Sequence, residues 1–203
     1  MVSDPANKSI SFKRIVKNVF SRLPSIFWND LESINIGQFK ELQKRNLQAM
    51  YKKNKIFLSN EVAKEEEYLD DIIHEIAHHI ETKYFNLIYA DKSIEKEFLT
   101  KRQSVFDRLK LKGFDVSLEN FLNPEYDQKF DEFISQVVGY PTMRTISSDI
   151  FYSPYAVTSL REYFANGFEA YYMKEEIPRL KKISPKLFNK ILKLGETKDG
   201  KYI

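Results

Sequence analysis

Apolar positions along the chain repeat mainly at helical spacing. The clearest stripe is Leu69, Ile72, Ile73, Ile76 and Ile80, which predicts a long amphipathic helix. The acidic stretch Glu65 to Asp71 falls in its first turns, where negative charge complements the helix dipole. Ile94, Phe98, Val105, Phe106 and Leu109 predict a second helix over 92–111. A third is expected from Asn123 as cap and Pro124 at N1, through Tyr126, Phe130, Phe133, Ile134 and Val137, to a stop at Gly139 and Pro141. Segment 140–158, with Pro141 and Pro154, reads as irregular. Ser159 then opens a helix with Leu160, Tyr163, Phe164, Phe168 and Tyr171 on its apolar side, and Ser184-Pro185 starts a last one with Leu187, Phe188, Ile191 and Leu192. Upstream, 12–52 reads as mainly helical, broken at Pro24 and around Asn35-Ile36-Gly37. Lys55-Ile56-Phe57-Leu58, closed by Ser59-Asn60, is the best strand.

This pattern predicts an α+β chain, predominantly helical with a small sheet, in which residues 1–203 form a single domain. No internal repeat suggests a solenoid. Six glycines give neither a flexible linker nor a Gly-rich phosphate loop. Lys+Arg 32 against Asp+Glu 29 is too balanced for a nucleic-acid grip, and the Lys-rich stretch Lys174 to Lys201 reads as a solvated face. No run approaches the 18 or so apolar residues of a membrane span. Met1 to Lys17 is polar and mixed in charge, without the apolar centre of a signal peptide.

Cysteine is absent, which removes disulfides, thiolate metal sites and a Cys nucleophile. The three histidines all lie in His74-Glu75-Ile76-Ala77-His78-His79-Ile80-Glu81. His-Glu-x-x-His on a helix is the zinc-peptidase pattern. Residues four apart stand one above the other, so the His74 and His78 imidazoles can share one metal. Zinc takes imidazole nitrogen at about 2.0–2.1 Å, and a catalytic site keeps its fourth position for water. Glu75, about 100° round the helix from His74, is placed to act on that water as general base. His79 points elsewhere and reads as a surface histidine.

With no further histidine, the third protein ligand must be a carboxylate. Glu95 and Glu97 follow the motif at about the spacing used by thermolysin-like enzymes. Glu162 is the stronger candidate, because Glu162, Asn166 and Glu169 share one helix face, opposite an apolar stripe, as a ligand with supporting polar groups would. Gly167 costs about 1 kcal/mol inside a helix relative to Ala, which implies close approach of another helix, the histidine helix being the natural candidate. A competing reading makes Ser159-x-x-Glu162 a capping box, with Glu162 returning to the Ser159 N–H.

Together, His74-Glu75-Ile76-Ala77-His78, Tyr155, Glu162-Tyr163-Phe164-Ala165 and Phe168 resemble the zinc-peptidase family of the anthrax lethal factor catalytic domain and the bacterial Pro-Pro endopeptidases. Arg179-Leu180 and Ser184-Pro185-Lys186-Leu187-Phe188 resemble the family's C-terminal helix entry. The likeness covers residues 54–85 and 152–194. It implies a zincin-like fold, one zinc held by His74, His78 and Glu162, and a catalytic Tyr155, seven residues before the distal glutamate. The stretch from His78 to Glu162 is longer than the family usually shows, so 86–150 reads as a helical insertion. Asn166 stands where the family commonly has an acidic residue.

The activity expected is hydrolysis of a protein or peptide substrate by a zinc endopeptidase, with no nucleic-acid partner. Two alternatives remain. One is a catalytically silent zincin-fold binding or structural protein, against which the intact Glu75 argues. The other is a peptidase of a mobile element that cleaves phage-type repressors, which Glu162-x-x-Ala165-Asn166-x-Phe168 also resembles, although those enzymes place the distal Glu much nearer the histidines.

Overall fold

The computed structural model describes residues 10–174 and 176–196. The first nine residues and the end of the Lys174–Lys201 stretch therefore lie outside the described residues. The chain is predominantly helical with one small sheet. Its contacts group it into two compact units, one ending at Lys83 and the other beginning at Tyr84.

The first unit opens with α1 (Phe12–Arg22) and a 3₁₀ turn (Ser25–Phe27), followed by β1 (Ser33–Gly37), α2 (Lys40–Arg45), β2 (Ala49–Lys52) and β3 (Lys55–Ser59). The sheet order is β1-β3-β2, with β1 parallel and β2 antiparallel to β3. β3 is the strand foreseen from the sequence, and its alternation shows why: Ile56 and Leu58 are fully buried while Phe57 faces the other way, half-buried. β1 falls on the break expected around Asn35-Ile36-Gly37, whereas β2 overturns the expectation of helix towards the end of 12–52. In β1 the alternation Ser33-Ile34-Asn35-Ile36 is short, and β2 is built from Ala49, Met50 and Lys52, whose local preference is helical. Pairing to β3 overrides that preference. The β2–β3 hairpin turns at Lys53 and Asn54, both with positive φ (49° and 59°), the geometry of a type I′ turn.

The predicted long helix is α3 (Glu65–Tyr89), interrupted by non-helical backbone at Tyr84 (φ −114°, ψ 27°). All five residues of its apolar stripe are buried. Glu65 in its first turn accepts the Ser11 N–H at 2.8 Å and pairs with Arg14, tying α1 to the start of α3.

The second unit continues with α4 (Ser93–Leu111), α5 (Leu118–Leu122), α6 (Gln128–Glu132), a π-helix (Phe133–Gly139), α7 (Tyr140–Ser147), a 3₁₀ turn (Tyr155–Val157), α8 (Leu160–Met173), α9 (Ile177–Ile183) and α10 (Pro185–Gly195). α4, α8 and α10 match the sequence pattern, and Ile94, Phe98, Val105, Phe106 and Leu109 are buried as expected. The helix expected from Asn123 starts instead at Asp127, whose carboxylate accepts the Phe130 N–H at 2.8 Å. Asn123 is extended, and its side chain accepts the Glu125 N–H in a local turn. The π-helix does end at Gly139 (φ +80°), as the sequence suggests, but Gly139 also caps α7 and Pro141 opens it, so 140–147 is helical where an irregular segment was expected.

Arg102, 1% exposed, anchors this region: it lies 4.1 Å over the Phe130 ring, and its guanidinium donates to the Asn120 and Asn123 carbonyls. The neighbouring Pro124 carbonyl accepts the Leu160 N–H at 2.8 Å, which fixes the start of α8. Among the described residues no helix is long and apolar enough to cross a membrane.

Candidate metal centre

α3 carries His74 and Glu75 side by side and His78 one turn on, and the two imidazole rings have centroids 5.0 Å apart. Glu75 and His78 are buried, at 7% and 9% exposure. His78 Nδ1 lies 2.7 Å from Glu81 Oε2. A carboxylate only accepts, so Nδ1 carries the proton and Nε2 is the ring's electron-pair donor, the form in which an imidazole can ligate a metal. Glu81, 3% exposed, is one helical turn beyond His78 and thus holds both the tautomer and the ring orientation.

α8 carries Glu162, the carboxylate favoured as third ligand from the sequence. Ser159 is its N-cap and accepts the Glu162 N–H at 3.2 Å, so the capping half of the competing reading is real. That bond engages the Glu162 backbone, not its carboxylate. One turn on, the Asn166 amide donates to the Glu162 carbonyl at 2.9 Å, and the Ser153 hydroxyl donates to Asn166 Oδ1. These bonds lock the first turns of α8 onto the segment before it. Gly167 does mark a close helix approach, but the neighbour is α10: a Cβ there would overlap Leu187 Cδ2 and stand 2.9 Å from its Cγ.

Among the described residues, one group of potential metal ligands converges: one ligand atom from each of His74, His78 and Glu162 lies within 4.8 Å of the others. Tetrahedral zinc with bonds of about 2.0–2.1 Å spaces its ligands about 3.3 Å apart, inside that limit. Two imidazoles and one carboxylate are also the donor chemistry that zinc accepts. Glu95 and Glu97 are not in the group. Glu97 accepts the Lys186 and Leu187 N–H groups at 2.8 and 3.1 Å, and the Tyr163 hydroxyl at 2.8 Å, which commits it to the N-terminus of α10.

Tyr155 sits in the 3₁₀ turn directly before α8, half-buried. Burial, then the charges of Glu162 and Asp131, push its phenol well above the ordinary tyrosine range, so it remains a hydrogen-bond donor at neutral pH. Tyr140, which the sequence did not single out, lies in the same field: burial, Asp131 and Glu162 push its phenol up to about 12. No spacing to the histidine motif marks it. Glu81 was equally unmarked, although an acid three residues after a ligand histidine is a readable signal.

His79 is not a surface histidine. It is 2% exposed, with Nε2 3.0 Å from Asp30 Oδ1 and Nδ1 3.2 Å from the Tyr51 hydroxyl. Tyr51 belongs to β2, the strand that the sequence did not reveal, and without it nothing in the pattern covers this ring. No protein-family model, curated protein or solved structure matches the chain.

Proposed function

We propose that this chain is a zinc-dependent endopeptidase with a zincin-like fold, of the kind represented by the lethal factor catalytic domain and the Pro-Pro endopeptidases. The observation that carries the reading is the convergence of the two motif histidines with Glu162. Zinc held there would polarise a scissile carbonyl and bring the pKa of a bound water towards about 7.

The chain's own residues supply the rest. His74 and His78 bind as neutral imidazoles, with His78 oriented by Glu81. Glu162 adds the negative ligand, from a helix start fixed by Ser159, Asn166 and the Pro124 carbonyl. Glu75 accepts the proton of the attacking water and delivers it to the departing amine. Tyr155, with its proton held firmly, donates a hydrogen bond to the oxyanion that develops on the substrate. The substrate is a peptide or protein.

The test is incubation of the zinc-loaded protein with a peptide library, with cleavage followed by mass spectrometry. Wild-type protein is expected to cut at defined bonds, and Glu75→Gln to retain zinc while turnover falls by about 10²–10⁴-fold. Equal inertness of the two proteins across the library would favour the silent binding protein instead.

A further inference from the structure

The face of the sheet that carries Phe57 holds a second feature, independent of the histidines. In the strand register Phe57 stands between Asn35 of β1 and Met50 of β2. The Phe39 ring, just before α2, meets Phe57 edge-on at 5.1 Å. Phe39, Met50 and Phe57 floor a groove of about 500 Å³, and all three are half-buried. Exposed Lys40, Lys52, Lys53 and Lys55 also line it, against a single acid, Glu41. Glu41 pairs with Lys52 at 2.7 Å and Glu32 with Lys55 at 3.3 Å, so the net positive charge of the rim comes from Lys40 and Lys53. This contrasts with a chain that is nearly balanced as a whole. The basic tip is also braced: the Tyr51 hydroxyl accepts the Asn54 N–H at 3.3 Å and donates to Asn54 Oδ1 at 3.0 Å.

We propose that this groove docks an acidic peptide segment, one bulky apolar side chain entering between Phe39, Met50 and Phe57 while flanking Asp or Glu residues meet the lysines. Charge complementarity selects the acids, and the apolar floor selects the anchor. The recessed floor favours a peptide over a membrane surface, since insertion into lipid needs apolar groups standing clear of the basic residues. The proposal requires neither zinc nor hydrolysis.

The test uses the full chain in its metal-free form and a fluorescent dodecapeptide of Glu and Asp with one central Phe. Controls are the same peptide with Ser for Phe, a Lys-for-acid version, and vesicles of phosphatidylserine and phosphatidylcholine. The acidic Phe peptide should bind, weaken steeply with added salt, and lose about tenfold or more of its affinity to Lys40→Glu/Lys53→Glu. An acid suits Lys40's place at the first residue of α2, so that variant is compatible with the fold. The Ser peptide should bind about tenfold more weakly. No binding, equal binding of the Lys peptide, an unaffected charge-reversal variant, or a preference for the anionic vesicles would each overturn the proposal.

Discussion

Glu81 holds His78 from behind, and the strength of that arrangement lies in its burial. A carboxylate 2.7 Å from Nδ1 at 3% exposure is little screened, so ring and tautomer are set before a metal arrives. Glu81→Ala should therefore lower zinc affinity by about 10–100-fold without removing the site, as read by competition with a chromogenic chelator. Unaltered affinity would reduce Glu81 to a packing group. On the proposed mechanism Tyr155 acts on a different quantity. Tyr155→Phe should cost about 2.7–4 kcal/mol of transition-state stabilisation, seen in kcat with little change in KM. An unchanged kcat, with zinc and fold intact, would leave Tyr155 a packing residue. At this scale spacing pointed to His74 and His78, and their ring atoms do lie close enough to share one ion. It was mute for Tyr140, whose proximity to Glu162 depends on the turn at Gly139.

Among the elements, the helices with continuous apolar stripes were legible and the two short strands were not. A stripe of Ile and Leu repeated over several turns leaves little choice of period, whereas four residues of β2 with helix-favouring side chains are strands only because β3 lies beside them. Pro141 misled for a related reason: proline serves helix ends and helix starts, and here, two residues after the positive-φ Gly139 at which the π-helix ends, it opens α7. Gly167 gave a correct signal with the wrong neighbour. Propensity alone predicts that Gly167→Ala stabilises α8 by about 1 kcal/mol. Contact with Leu187 predicts the opposite, a loss of about 1–3 kcal/mol by urea unfolding. Leu187→Ala should cost about 2–5 kcal/mol by itself, and the double variant less than the sum, since each change relieves the other. A stabilised Gly167→Ala would remove the reason given for this glycine.

For the molecule as a whole, composition excluded more than it identified. The lack of cysteine leaves only histidine and carboxylate as strong metal donors, and three histidines in one octapeptide place every imidazole candidate in one segment. The third could not be read by spacing, because carboxylates are plentiful and the distal one stands far along the chain. Two observations separate the candidates: Glu97 is committed to the N-terminus of α10, and Glu162 joins His74 and His78. The most direct measurement is a zinc titration of the metal-free chain and its variants against a competing chelator. The account predicts one zinc per wild-type chain, no stoichiometric zinc in His78→Ala, and affinity reduced by about 100-fold or more in Glu162→Gln, with Glu95→Gln unchanged. Full zinc retention in His78→Ala, or wild-type affinity in Glu162→Gln, would contradict it.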